Sequence, residues 1–306
     1  MGTQKVVIGI DSSQASRHAL YVASDEADRR GAELVIAHAP DFSAEGTLAS
    51  VRTPDAGEVI RQDGERLLQQ AAVSVRERWP HVTVRIVFRM APPADLLLSL
   101  SASADLLVVG TSGAGRLAGM MLGSVSQRVA GHASCPVLVV PATDPRDGSA
   151  RIVVGISDSP GGRAALRAAF EEAERRGATL VAVRAWGYSD WLLVDLPPTV
   201  EALSERQHAL VQELLAPCRQ KHPSVPVEKR FVEATPARAL RDESAHATIV
   251  VVGSRHDDGH WPSRLGPLAF DLMHRSACPV LIVGRPRVTL PEDPEARRTA
   301  QVQPSG

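Results

Sequence analysis

The stretch Gly110-Thr-Ser-Gly-Ala-Gly-Arg-Leu-Ala-Gly-Met-Met-Leu-Gly-Ser124 concentrates glycine between an apolar run, Leu106 to Val109, and a segment of helical period. Glycines there let backbone N–H groups turn inward and approach an anion closely. The helix that follows adds its unpaired N–H groups and the positive end of its dipole. That chemistry is phosphate binding, although glycine-rich strand-to-helix turns also occur for packing alone. The loop is not a Walker A loop: Gly110 and Gly115 have the right separation, but Arg116-Leu117 follows where Lys and Ser or Thr are required. Nor is it the fingerprint that opens the first helix of a dinucleotide fold, where this chain has Gly9-Ile-Asp-Ser-Ser13. Ser124 is a predicted helix N-cap, with Gln127 three residues on completing a capping box.

Other reactive side chains carry less. His256 and His260 are four apart, but Asp257-Asp258-Gly259 between them favours a turn, and no third ligand is placed nearby. Cys135, Cys218 and Cys278 form neither a CxxC pair nor an even disulfide set and read as reduced thiols. The aromatic stretch Trp186 to Trp191 is a lid over the second half, a partner surface or packing.

The elements that position the glycine loop occur twice. Glu26-Ala-Asp-Arg-Arg-Gly-Ala32 recurs as Glu172-Ala-Glu-Arg-Arg-Gly-Ala178, and Val6-Val-Ile-Gly-Ile10 as Ile152-Val-Val-Gly-Ile156. Ser134-Cys-Pro-Val-Leu-Val-Val140 recurs as Ala277-Cys-Pro-Val-Leu-Ile-Val283. Several matches in one order mean a duplicated domain. The reading is two domains, 1–143 and 150–286, with Pro141 to Ser149 as linker and 287–306 as a loosely ordered tail. In the first copy, Lys5 to Ile10, Leu34 to His38, Val82 to Phe88, Leu106 to Val109 and Pro136 to Val140 are predicted strands. Ala15, Ala19, Val22 and Ala27 share one helical face, and Ile60, Leu67, Leu68, Ala71, Ala72 and Val75 another. Strands without polar alternation are buried on both faces, which implies a parallel sheet wrapped by helices.

Composition bounds the rest. In 306 residues, 44% hydrophobic and 23% charged, there is material for two packed cores. A net charge of -1 supplies no bulk attraction for nucleic acid or anionic lipid. No apolar run approaches a membrane span and the start enters a strand at once, so the expected location is the cytoplasm.

The spacing Gly110-x2-Gly113-x9-Gly123-Ser124 resembles the ATP-binding motif of the universal stress protein family. The resemblance covers nearly the whole chain as a tandem pair. Val7 to Ser13, Val35 to Ala39 and His132 to Val140 also carry it. It implies two Rossmann-like domains, each a five-stranded parallel sheet of order 3-2-1-4-5, with a ligand crevice where the order reverses. It also implies that Gly9 and Asp11 lie near the adenosine of ATP and that Ala39 meets adenine through its backbone. Gly110, Gly113, Gly115, Arg116, Gly123, Ser124 and Val125 would surround the phosphates. Asp11 also reads as a helix N-cap. In the second copy Ser157 aligns with Asp11, His256 with Gly113 and Pro267 with Ser124, so weak or no ATP binding is expected there.

The family is associated with survival under starvation, hypoxia or oxidative stress. The leading function is an ATP-holding module whose nucleotide state alters its shape or partners. Two rivals are an enzyme acting at the α-phosphate, or slowly hydrolysing ATP with Mg2+ on the phosphates, and a nucleotide-free scaffold. Pairing of the apolar edge strands Pro136 to Val140 and Pro279 to Val283 would make an internal pseudo-dimer, and a homodimer of chains and an unidentified protein partner are further expectations.

Overall fold

The computed structural model describes residues 3–41, 56–111, 123–142, 150–186, 200–254 and 265–284. The first copy runs β1 (Lys5–Gly9), α1 (Gln14–Arg30), β2 (Glu33–His38), α2 (Ala56–Arg78), β3 (Val84–Phe88), α3 (Pro93–Ser101), β4 (Leu106–Gly110), α4 (Ser124–His132) and β5 (Val137–Val140). The second repeats the series as β6 (Arg151–Gly155), α5 (Pro160–Arg176), β7 (Thr179–Trp186), α6 (Val200–Lys221), β8 (Val227–Glu233), α7 (Pro236–Ser244), β9 (Ile249–Gly253), α8 (Pro267–Arg275) and β10 (Val280–Val283).

Both faces of the sheet are covered, which is why its inner strands tolerate no polar alternation. Along β1, Val6 and Ile8 join the core beneath α1 and α2, whereas Val7 joins the core beneath α3 and α4. α1 lies close because much of the face it buries is alanine: Ala15, Ala19, Ala23 and Ala27. Ser13 starts that helix by accepting from Ser16 N. Gly31 ends it at φ 57°, in the left-handed region, its N–H reaching the last carbonyls; Gly177 ends α5 at φ 58° in the same way.

The ten strands form one sheet in the order β3-β2-β1-β4-β5-β10-β9-β6-β7-β8. Each half reads 3-2-1-4-5 within itself, but the sheet as a whole is one of ten strands, which corrects the expectation of a five-stranded sheet in each domain. The apolar edges β5 and β10, both fully buried, pair antiparallel with Leu138 opposite Leu281, and so fuse the two halves. Every other neighbouring pair is parallel. The outer edges, β3 and β8, are partly exposed and carry charge, Arg85 on one and Glu228, Lys229 and Arg230 on the other.

Candidate functional site

β1 and β4 are neighbours, and their connections leave on opposite faces of the sheet, so a crevice opens beyond their carboxyl ends. Two glycines permit the close packing there. A Cβ on Gly9 would lie 2.7 Å from Leu97 Cδ1 of α3, and one on Gly110 would lie 3.2 Å from the Ala15 backbone of α1. The lips of the crevice are held by short polar bonds. Asp11 Oδ1 accepts from Ser13 N at 2.9 Å and Asp11 N donates to Ser16 Oγ at 2.9 Å, so the turn before α1 is fixed from both sides. Ser126 Oγ donates to Gly110 O at 2.6 Å, tying α4 to the end of β4.

The crevice widens into a cavity of about 880 Å³. His38 forms part of its wall, its Nδ1–H donating to Ile10 O at 2.8 Å. α2 closes the far side with Ile60, Asp63, Gly64, Leu67 and Gln70. Gly64 has no room for a side chain: a Cβ would lie 2.4 Å from the Phe88 ring and 2.9 Å from His38 Cδ2. The floor is apolar, from Leu96, Leu97 and Val109, while the walls and rim carry hydroxyls, the carboxylates of Asp11, Asp41 and Asp63, the guanidinium of Arg66 and the N-terminus of α4.

Of the residues singled out in the sequence, Gly9, Asp11, Ala39, Gly110, Gly123, Ser124 and Val125 line this one cavity. Gly113, Gly115 and Arg116 lie outside the described residues. Ser124 is not the helix cap that the sequence predicts. It is the first residue of α4, and Gly123 is the cap, with no side-chain cap bond and its carbonyl accepting from Gln127 N at 3.1 Å. The exposed Ser124 hydroxyl therefore stands at the positive end of α4 instead of closing it. Nor is Asp11 the cap of α1, since Ser13 takes that place and Asp11 braces it from outside the helix.

Ser16, Ser126 and Gly64 were missed, whereas His38 reads from the sequence as a framework position and stands in the cavity wall. The signal for Ser16 was its position three residues after a strong cap, where a second hydroxyl must face the turn. Ser126 stands in the first turn of a helix that begins at a glycine cap. Nothing local marked Gly64, whose role arises from the ring of Phe88.

The second copy builds the same corner differently. Ser159 N donates to Ser157 Oγ at 3.3 Å, so Ser157 reproduces the brace of Asp11 without its charge. Gly162 stands where Ser16 is, and a Cβ there would lie 2.3 Å from Ser157 O. A Cβ on Gly253 would lie 2.3 Å from Gly161 O, closer than at Gly110, so α5 sits tight against the end of β9. Arg184, in the place of His38, donates to Ile156 O at 3.1 Å and to Gln207 Oε1 at 2.6 Å. Pro267 occupies the first helical position, where it offers no N–H. His256 and His260 lie outside the described residues, and among those described no group of three metal-ligating side chains gathers.

The universal stress protein family profile matches residues 2–141 and again 149–284. The chain belongs to the universal stress protein family. A universal stress protein of Mycobacterium tuberculosis is 33% identical over 287 residues, which cover 90% of this chain and 96% of that one. A universal stress protein structure from Archaeoglobus fulgidus covers 93% of this chain and 100% of its own, at 18% identity and a TM-score of 0.69, and so shares the two-domain fold. Another universal stress protein, solved in complex with cAMP, covers 47% of this chain at 30% identity with a TM-score of 0.36. No helix among the described residues is long and apolar enough to cross a membrane.

Proposed function

We propose that this universal stress protein holds one ATP per chain, in the first copy, and that the bound nucleotide sets its interaction with a protein partner. The observation that supports this most is the convergence of Gly9, Asp11, Ala39, Gly110, Gly123, Ser124 and Val125 on one cavity of about 880 Å³ at the sheet's switch point. That volume lies in the range of small-molecule and cofactor sites. The apolar floor and the backbone of Ala39 suit a purine, Asp11 suits a ribose hydroxyl, and the N-terminus of α4 with the glycine loop suits phosphate. In the second copy an uncharged brace, a tight α5 approach, the Arg184 side chain and Pro267 remove these features one by one.

The test is Ser124→Glu. A carboxylate at the first helical position suits the helix dipole and leaves the fold in place, while repelling phosphate. Binding of a fluorescent ATP analogue should fall at least tenfold with an unchanged melting temperature. Equal binding by native and variant proteins would place the nucleotide elsewhere and end this reading.

A further inference from the structure

The repeated Glu-Ala-x-Arg-Arg-Gly-Ala segment takes no part in the cavity. It ends α1 and α5, and the two helix ends meet across the junction of the two halves. Arg30 Nε donates to Glu26 Oε2 at 3.1 Å and Arg176 Nε to Glu172 Oε2 at 3.3 Å, each within its own helix. Each guanidinium then crosses to the other half: Arg30 Nη2 to Glu172 Oε1, and Arg176 Nη2 to Glu26 Oε1. Arg175 adds a bond to Glu172 Oε1 at 2.7 Å. The side chains of Glu26, Arg30, Glu172 and Arg176 are only 2%, 9%, 5% and 8% exposed. Gly31 and Gly177 stop the helices directly after these arginines, which places the positive charges at the negative ends of the helix dipoles.

Four charges buried together contribute little net stability over an apolar cluster of equal volume, because each must be stripped of water. What they impose is a penalty on every arrangement that leaves one of them unpaired. The pattern of the four is also isologous: residue 26 meets residue 176 as residue 172 meets residue 30, so exchanging the copies leaves these cross-junction pairs unchanged. We propose that this buried Glu–Arg quartet is the partner-selecting surface of the molecule: at the β5–β10 junction it admits only a half with the same Glu–Arg order, and the other half of the same chain, already tethered beside it, is that occupant. Charge order excludes a half of reversed order, since a Glu at the earlier position and an Arg at the later one must face the same order running the other way.

That logic makes a sharp test in the full-length chain. Exchanging the two residues in the first copy alone (Glu26→Arg with Arg30→Glu) sets Glu against Glu172 and Arg against Arg176. The halves of one chain then repel, yet each half remains complementary to the same half of a second chain. This variant should therefore shift from the native species to larger assemblies by light scattering, and lose about 10 °C or more in melting temperature. Exchanging the second copy as well (Glu172→Arg with Arg176→Glu) restores the four Glu–Arg pairings of the quartet, though not the Arg175 bond to Glu172 or the arginines' place at the helix ends, and should return the native assembly size and most of the lost melting temperature. A half-exchanged chain identical to native, or a fully exchanged chain no better than the half-exchanged one, would overturn the proposal. So would a half-exchanged chain that is destabilised but keeps the native size, since partners would then not be selected by charge. If the half-exchanged chain only aggregates, recovery in the fully exchanged chain decides.

Discussion

Neutralising Glu172 alone isolates the energetic weight of the quartet. Glu172→Gln keeps the side-chain volume and most hydrogen-bonding capacity but leaves the guanidiniums of Arg30, Arg175 and Arg176 with Glu26 as the remaining carboxylate of the quartet. With Glu172 only 5% exposed, solvent screens little of the imbalance. Breaking a buried pair by removing one partner costs about 3–5 kcal/mol. At roughly 2–4 °C per kcal/mol, that is a fall of about 6–20 °C in melting temperature by calorimetry. The pH dependence follows from the same geometry. Burial alone would raise the Glu172 carboxyl, but Arg30, Arg176 and Arg175 overrule it and hold it below the usual carboxylate range. A carboxylate depressed in the folded state contributes stability that is present above the unfolded value of about 4.3 and is lost as pH falls toward the folded value. Native protein should therefore lose stability below about pH 4, and Glu172→Gln should lose less over that interval. A variant within about 1 kcal/mol of native at pH 7, with an unchanged acid slope, would show that the buried charges do not cooperate and would refute this reasoning.

Three further outcomes follow from packing and burial. Leu138→Ala and Leu281→Ala, at facing positions of the β5–β10 junction, should each cost about 2–5 kcal/mol by urea denaturation, and the double variant should cost less than their sum. Gly31→Ala forces a side chain into a left-handed backbone and should cost about 1–2 kcal/mol in the same assay, although the position is otherwise open. The Cys135 thiol is pushed up to about 12, chiefly by burial and then by the Asp105 charge, so mass-mapped alkylation of native protein at pH 8 should leave it unmodified.

The repeat and the strands were legible because buried parallel strands write themselves as unbroken runs such as Leu106 to Val109, and because duplication copies those runs in order. The partners at the fusion of the ten strands were legible, since the apolar edges Pro136 to Val140 and Pro279 to Val283 were expected to pair; the direction of that pairing was not. An apolar edge signals a need for cover but says nothing of strand direction, and here the cover is antiparallel. The site was read through the family resemblance carried by the glycine spacing and the opening strand, and Gly9, Gly110 and Gly123 do line one cavity. The cap was misplaced at Ser124, since Ser and Gly are both acceptable at that position and only the backbone turn decides. The quartet was hidden for a different reason. Glu and Arg four apart on a helix are written the same way whether they face water or another helix. Their burial is set by the β5–β10 pairing, which brings the ends of α1 and α5 together.

The most direct test of the ATP assignment is the stoichiometry of ATP binding to the full-length chain by titration calorimetry. One site per chain is predicted, abolished in Ser124→Glu. Two equivalent sites would show that the second copy is competent despite Arg184 and Pro267, and no site at all would contradict the assignment of the first copy.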